Sequence, residues 1–301
     1  MKLSIITTIG NEKETPNERG DKWQEALECY CDLADEVIVV DGSSRRKSTI
    51  PLECTKFSST TGKVISYRLR GQIWPYDWSW EELPMHLNAG LEAATGDWVI
   101  KMDIDQLFHE DDFKRVKAVL EEYKDAPVLT FEKRSFTKWN RYYQKGKIPI
   151  AINKKKFGNK IRYGHATNKK TDLCYPIFWD GDYKMVKDWF GERKIPQGVY
   201  NPADFVNTNI PIYNYDYTFK TKEQTFKEFW RFSQAYHRYF GEWKLGATPE
   251  DAFSKFMEMM EGRKMHVYYD CRLEQHPKFI QKALGDLAPE QFGYNGFGIF
   301  K

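Results

Sequence analysis

Apolar residues along this chain follow two rhythms. Short unbroken runs fill residues 2–8, 36–40, 63–69, 98–102 and 127–131, as in Val37-Ile-Val-Val40. Runs of that length, closed by polar turns, are typical of strands buried on both faces. Between them, apolar residues recur every three or four positions. Residues 21–33 gather Trp23, Ala26, Leu27 and Tyr30 on one face, and residues 81–94 gather Leu83, Leu87, Leu91 and Ala94. Residues 111–123 form a third helix, opened by acidic side chains that suit the positive end of a helix dipole. Gly96 is read as the left-handed residue that stops the second helix. This alternation predicts an α/β fold with a mostly parallel sheet flanked by helices.

The second half is less regular. Residues 132–175 read as loops and short strands, 182–190 as a short helix, and 210–219 as strand-like. Residues 221–240 form a strong amphipathic helix with Phe226, Phe229, Ser233, Tyr236 and Phe240 in one stripe, expected to pack on the sheet. Another helix is predicted over 249–261. Three regions are expected within one continuous domain: 1–125, 126–220 and 221–301.

Composition narrows the class. Hydrophobic residues make up 41% and charged residues 30% of the 301 positions, the balance of a globular chain. No apolar run approaches the ~20 residues of a membrane span, and the amino-terminal run is too short for a secretory signal. Five cysteines, an odd number without zinc spacing, read as reduced thiols. A cytoplasmic protein is expected, with peripheral membrane association within its reach. The net charge of +3 is unevenly spread: residues 133–170 hold thirteen Lys and Arg and no Asp or Glu. Such a run suits an anionic acceptor, with Lys154 to Lys156 as candidate contacts, or an anionic membrane. It also raises the alternative of a nucleic-acid-binding module, but it lacks any recognisable fold signature, and no nucleic acid partner is expected.

The sharpest chemical signal is Asp103-Ile-Asp105, directly after the apolar run at 98–102. Carboxylates at the carboxyl end of a strand sit where open α/β sheets bind ligands, and they suit a hard divalent cation. A second Asp-x-Asp, Asp180-Gly-Asp182, shows how easily the bare pattern arises.

Several segments acquire meaning together. Residues 4–12 (Ser-Ile-Ile-Thr-Thr-Ile-Gly-Asn-Glu), 34–43 (Ala-Asp-Glu-Val-Ile-Val-Val-Asp-Gly-Ser), 87–91 (Leu-Asn-Ala-Gly-Leu) and 94–105 follow one another in the order and spacing of a known family. Over residues 2–125 the chain resembles the family 2 inverting glycosyltransferases of GT-A fold, most of all their lipopolysaccharide-core type. The resemblance implies a nucleotide-diphosphate sugar donor, a UDP- or GDP-sugar, and a glycan or lipid-linked acceptor. It places Thr7, Thr8 and Glu12 near the nucleoside, Asp41 at the base or ribose, and Asn88 in the donor site. It gives Asp103 to ribose and metal, and Asp105 to a Mn²⁺ or Mg²⁺ ion. Many members carry two consecutive Asp before Gly-Ser where this chain has only Asp41, and many carry His in place of Asn214.

Transfer to a hydroxyl also needs a general base. In the family it is a carboxylate well downstream of the Asp-x-Asp. The candidates are Asp182, then Asp180, with Asp172 behind them. His165 and His237 read as structural, and Arg45-Arg46-Lys47 as an exposed loop. A sugar nucleotidyltransferase would carry a Gly-rich loop with Arg after the first strand, where this chain has Thr7-Thr-Ile-Gly-Asn-Glu-Lys13. A catalytically dead sugar-binding relative would have no need of both Asp103 and Asp105.

Overall fold

The computed structural model describes residues 1–9, 20–43, 64–74, 82–168, 175–188 and 191–300. Glu12, Arg45, Arg46, Lys47 and Asp172 lie outside them.

The first half follows the predicted alternation. Strand β1 (Leu3–Ile9) leads to helix α1 (Trp23–Leu33), β2 (Glu36–Ser43), β3 (Val64–Trp74), α2 (Glu82–Ala93), β4 (Trp98–Lys101), the two-residue β5 (Gln106–Leu107) and α3 (Phe113–Glu122). β1, β2, β3 and β4 run parallel, with Thr8 opposite Val40 and Ile5 opposite Ile100. Successive side chains on a strand point to opposite faces. Leu3, Ile5, Val37, Val39, Trp98 and Ile100 therefore enter one core, shared with α1 and α3. Ile6, Ile38, Val40 and Val99 enter a second core with Leu87, Leu91 and Ala94 of α2. This double burial is why the strand runs are unbroken.

Gly96 departs from its expected role. It is absent from the glycines with positive φ. A Cβ there would lie 2.6 Å from Ser4 Oγ and 2.7 Å from Ser4 N. Close approach to β1 excludes a side chain, and the Gly96 amide donates to Ser4 Oγ at 2.9 Å. Ser4 in turn donates to Glu36 at 2.6 Å.

Residues 132–175 differ most from expectation. β6 (Val128–Lys138) and β7 (Arg141–Asn153) form one long antiparallel hairpin. Its polar alternate positions face water, so the sequence shows little apolar rhythm there. A turn, α4 (Lys154–Phe157), leads to β8 (Ile161–Ala166), β9 (Tyr175–Asp188) and β10 (Gly191–Val199). These three strands form a small separate sheet. Where a short helix is expected at 182–190, the described residues 182–188 are strand: Tyr183 to Asp188 pair with β10, which satisfies the same backbone groups across a hairpin. β11 (Val206–Asn214) completes the main sheet, whose order is β3-β2-β1-β4-β7-β6-β11-β5. Strands beyond residue 126 thus share the sheet of the amino-terminal half. This mixed, mostly parallel sheet flanked by helices is a GT-A arrangement.

Helix α5 (Lys222–Phe240) opens with Thr221 as cap, its side chain and that of Gln224 closing a capping box, and ends on left-handed Gly241. Its buried Phe229 meets Ala252, Phe256 and Met260 of α6 (Pro249–Gly262), together with Phe292 and Ile299. The stripe packs on helix and carboxyl-terminal residues rather than on the sheet. β12 (Tyr269–Asp270) pairs with β7, and α7 (Lys278–Gly285) covers the α1 side of the core. No helix among the described residues is long and apolar enough to cross a membrane.

Lys220, only 1% exposed, joins the last strand to α5 through Glu228 at 2.6 Å and Asp21 at 3.4 Å. Removing one partner of a buried ion group strands the others in low dielectric, at a cost of roughly 3–5 kcal/mol. Lys220→Met should lower the free energy of unfolding by about that amount in urea. A change below ~1 kcal/mol would show that water reaches the group.

Candidate active site

The carboxyl ends of β1, β2 and β4 lie side by side. Thr7 is fully buried there and its hydroxyl has no hydrogen-bond partner among the described residues; Thr8 beside it is half-buried. Asp41 is buried on β2, opposite Ile9. The backbone leaves β4 as the Met102 amide donates to Ile6 O at 2.9 Å, which brings Asp103 to the same edge.

The Asp103–Asp105 loop is held on several sides. Gln106 N donates to Asp103 O at 2.8 Å, forming a turn. The buried Tyr30 hydroxyl of α1 lies 2.6 Å from Asp103 O and 2.9 Å from Gln106 O. From β11, the Tyr215 amide donates to Asp105 O at 2.8 Å. Asp103 Oδ2 accepts from Lys101 Nζ at 2.6 Å and Gln106 Nε2 at 3.0 Å.

Asp105 is treated differently. Its Oδ1 is buried and has no hydrogen-bond partner among the described residues. Burial first, then the carboxylates of Asp216 and Asp103, push its pKa up to about 7; Lys133 opposes them, and Asp21 adds a smaller push. An anion buried among anions is costly without a cation.

Asp216 is the residue that sequence reasoning missed. It is half-buried and follows β11 by two positions, in Asn214-Tyr-Asp216. The signal was an acidic residue just past an apolar strand, the same logic that singled out Asp103 and Asp105. Asn214, where many relatives carry His, lies 3.4 Å from Gln106 Nε2 through its Oδ1.

A divalent cation fits the chemistry of this donor set. Asp105 supplies an orphaned carboxylate oxygen, and Asp103 and Asp216 add negative charge around it. Among the described residues no three His, Cys, Asp or Glu side chains are close enough to hold a metal by themselves.

The other candidates lie elsewhere. Asn88 on α2 spends its amide on the backbone of β8: Nδ2 donates to Tyr163 O at 2.7 Å and Oδ1 accepts from Tyr163 N at 2.9 Å. Asp180 and Asp182 are exposed at a bend of β9, around Gly181 at φ 114°. Asp182 N approaches Asp180 Oδ1 at 3.4 Å, and Trp179 Nε1 donates to Asp182 O at 2.7 Å. They are not among the charges that act on Asp105. His165 lies on β8, its pKa lowered by burial and then by Lys184. His237 stacks on Trp243 at 3.9 Å. Lys154 caps the end of α2 through Leu91 O, Lys155 pairs with Asp97 at 3.1 Å and Lys156 with Asp125 at 2.7 Å. All three lysines bind the protein itself. Cys29 and Cys271 are free thiols.

Residues 4–178 match the family described as glycosyl transferase family 2. The chain belongs to that family. Its match ends within β9, so the family region holds the whole β1–β4 edge, Asp103 and Asp105. No curated protein matches the sequence. Similar solved structures include that of S. aureus TarS, at 12% identity and TM-score 0.40, covering 94% of this chain and 53% of that one. A structure of S. aureus TarS 1-349 aligns at 14% identity and TM-score 0.38, covering 94% of this chain and 88% of that one. The chain thus spans about half the length of the first.

A pH dependence follows from Asp105. Between its ordinary value near 3.8 and the folded value of about 7, the folded chain keeps a proton that the unfolded chain has lost. Stability of the metal-free protein should therefore fall as pH rises through that window, and the loss is complete above it. Asp105→Asn should flatten the slope and raise the unfolding midpoint at pH 8. Thermal unfolding in chelator from pH 5 to 8 checks this; equal slopes for both proteins would contradict it.

Proposed function

We propose that this protein transfers a sugar from a nucleotide-diphosphate sugar, UDP- or GDP-linked, to a hydroxyl of a glycan or lipid-linked acceptor, with inversion at the anomeric carbon. One observation carries the reading: Asp105, at the strand-end edge of a family 2 chain, has a buried carboxylate oxygen with no hydrogen-bond partner among the described residues. The likeness of the first 125 residues to the lipopolysaccharide-core type favours a glycan acceptor.

In this reading Thr7, Thr8 and Glu12 border the nucleoside, and Asp41 meets the base or ribose. Asp103, held by Lys101 and Gln106, faces the ribose and diphosphate. Asp105 holds Mn²⁺ or Mg²⁺, with Asp216 as a further oxygen donor. The cation neutralises charge growing on the departing diphosphate. Binding would also remove the repulsion that raises the Asp105 pKa, so donor and metal stabilise the loop together.

The acceptor hydroxyl attacks the anomeric carbon as the bond to the diphosphate breaks, and its proton passes to a carboxylate. Asp182 is assigned as that base, with Asp180 beside it. Their exposure leaves them open to an acceptor, and Trp179 and Tyr183, 5.3 Å apart, offer aromatic faces of the kind that pack on sugars. Asn88 keeps a supporting role, tying α2 to β8.

The test is release of nucleoside diphosphate from a panel of UDP-, GDP-, CDP- and dTDP-sugars with and without Mn²⁺. One donor should be consumed, only with metal, and Asp105→Ala should reduce the rate by about a hundredfold or more. Asp182→Asn should lose transfer to a similar extent while keeping donor affinity. Metal-independent turnover, or normal transfer by Asp182→Asn, would contradict the respective assignments.

A further inference from the structure

Six basic residues of the 133–170 run (Arg134, Arg141, Lys154, Lys155, Lys156 and Arg162) have side-chain partners in the protein, while Lys133 and Lys145 of that run and Arg263 beyond it pair with no carboxylate among the described residues. The β6–β7 pairing steps from Glu132–Lys147 to Arg134–Gln144, and this bulge sets Lys133 against Lys145 and Gly146. Ser135 of β6 pairs with Tyr143 of β7, and the bulge beyond that pair places Lys133 beside Lys145 and Gly146. Asn214 lies beside Ser135 on β11, and Asp216 follows it. Lys133 acts on Asp105, and Asp216 and Asp105 act on Lys145, so the hairpin brings both lysines near the two carboxylates.

Arg263 reaches this face from the end of α6. Its guanidinium carbon lies 5.8 Å from the centre of the Tyr143 ring. His266 stacks on that ring at 4.6 Å, and the Tyr268 hydroxyl donates to Arg263 O at 2.9 Å. The arginine is thus held in place from its own backbone. Lys145 feels Lys133 and Arg263 as like charges, and Asp216 and Asp105 as opposite ones. Lys145 is exposed, and desolvation, then Lys133, lowers its pKa. Yet none of Lys133, Lys145 and Arg263 closes an ion pair with any carboxylate among the described residues.

Three converging cations that stop short of every carboxylate leave room for another anion. Arginine and lysine together suit phosphate, the first as a planar fork and the second as a point charge. The donor's nucleoside side lies at β1 and β2, across β4 from this hairpin. We propose that Lys133, Lys145 and Arg263 form a seat for a phosphate group of the acceptor, which would then be a phosphorylated glycan or a phosphate-linked saccharide. The proposal rests on the transferase reading and gives it a substrate class.

The test is calorimetric titration of inorganic phosphate into the whole protein, both alone and preloaded with Mg²⁺ and its preferred nucleoside diphosphate. Phosphate should bind the preloaded protein, and Lys145→Gln with Arg263→Gln should weaken it by about tenfold or more. Affinity for the nucleoside diphosphate should change less than about twofold. Both positions are outside the core, so the double variant should fold; its unfolding midpoint checks that. Phosphate binding that vanishes on preloading would give the cations to the donor's own diphosphate and overturn the acceptor assignment. Equal binding by wild type and variant, or none by wild type, would overturn the seat itself. Should the protein respond to no nucleotide, the transferase reading fails, while the titration without nucleotide still judges the seat.

Discussion

Repulsion among three half-buried carboxylates is the constraint around which this site is arranged. Asp105 is placed where burial, Asp216 and Asp103 all disfavour its charge, and Lys133 opposes them. A fold selected for stability alone would have no reason to hold such a group in position. The chain nevertheless fixes its loop firmly, with the Tyr30 hydroxyl donating to Asp103 O and Gln106 O and the Tyr215 amide donating to Asp105 O. Stability given up at one place and supported from others is the usual signature of a binding site.

The architecture explains how that position is reached. Parallel strands with helical crossovers end together at one edge, so Thr7, Asp41 and Asp103 become neighbours although far apart in sequence. β11 inserts beside β6 and carries Asp216 to the same edge. The β6–β7 hairpin forms the opposite wall and adds cations. Asp103 and Asp105 differ in character despite lying two residues apart. Asp103 is ion-paired with Lys101 and hydrogen-bonded by Gln106, whereas Asp105 Oδ1 has no hydrogen-bond partner among the described residues.

Much of the first half was legible in the sequence, because strands buried on both faces leave unbroken apolar runs and helices leave a 3.6-residue rhythm. The β6–β7 hairpin was not, since Lys and Arg alternate along its solvent face and mask the pleat. The 182–190 segment misled for a related reason: Tyr183 and Met185 are exposed on a small sheet, so their spacing carries no core signal. Gly96 was rightly noticed but for the wrong cause, because close contact with Ser4 is a tertiary fact. At the site, the Asp-x-Asp motif was visible locally. Asp216 and the three cations acquire meaning only through strand pairing. The Lys154–Lys156 run looked like a ligand surface, yet its partners are the α2 end, Asp97 and Asp125.

The account stands on one claim, that Asp105 waits for a divalent cation brought together with a nucleotide. The most direct measurement is thermal unfolding with UDP, GDP, CDP and dTDP, each with and without Mn²⁺, for wild type and Asp105→Ala. A ligand at about a hundred times its dissociation constant adds roughly 2.7 kcal/mol, which moves the midpoint by several degrees in a chain of this size. The account predicts such a rise with one nucleotide, only with Mn²⁺, and its loss in Asp105→Ala. A rise that ignores the metal, or that survives in Asp105→Ala, would contradict it.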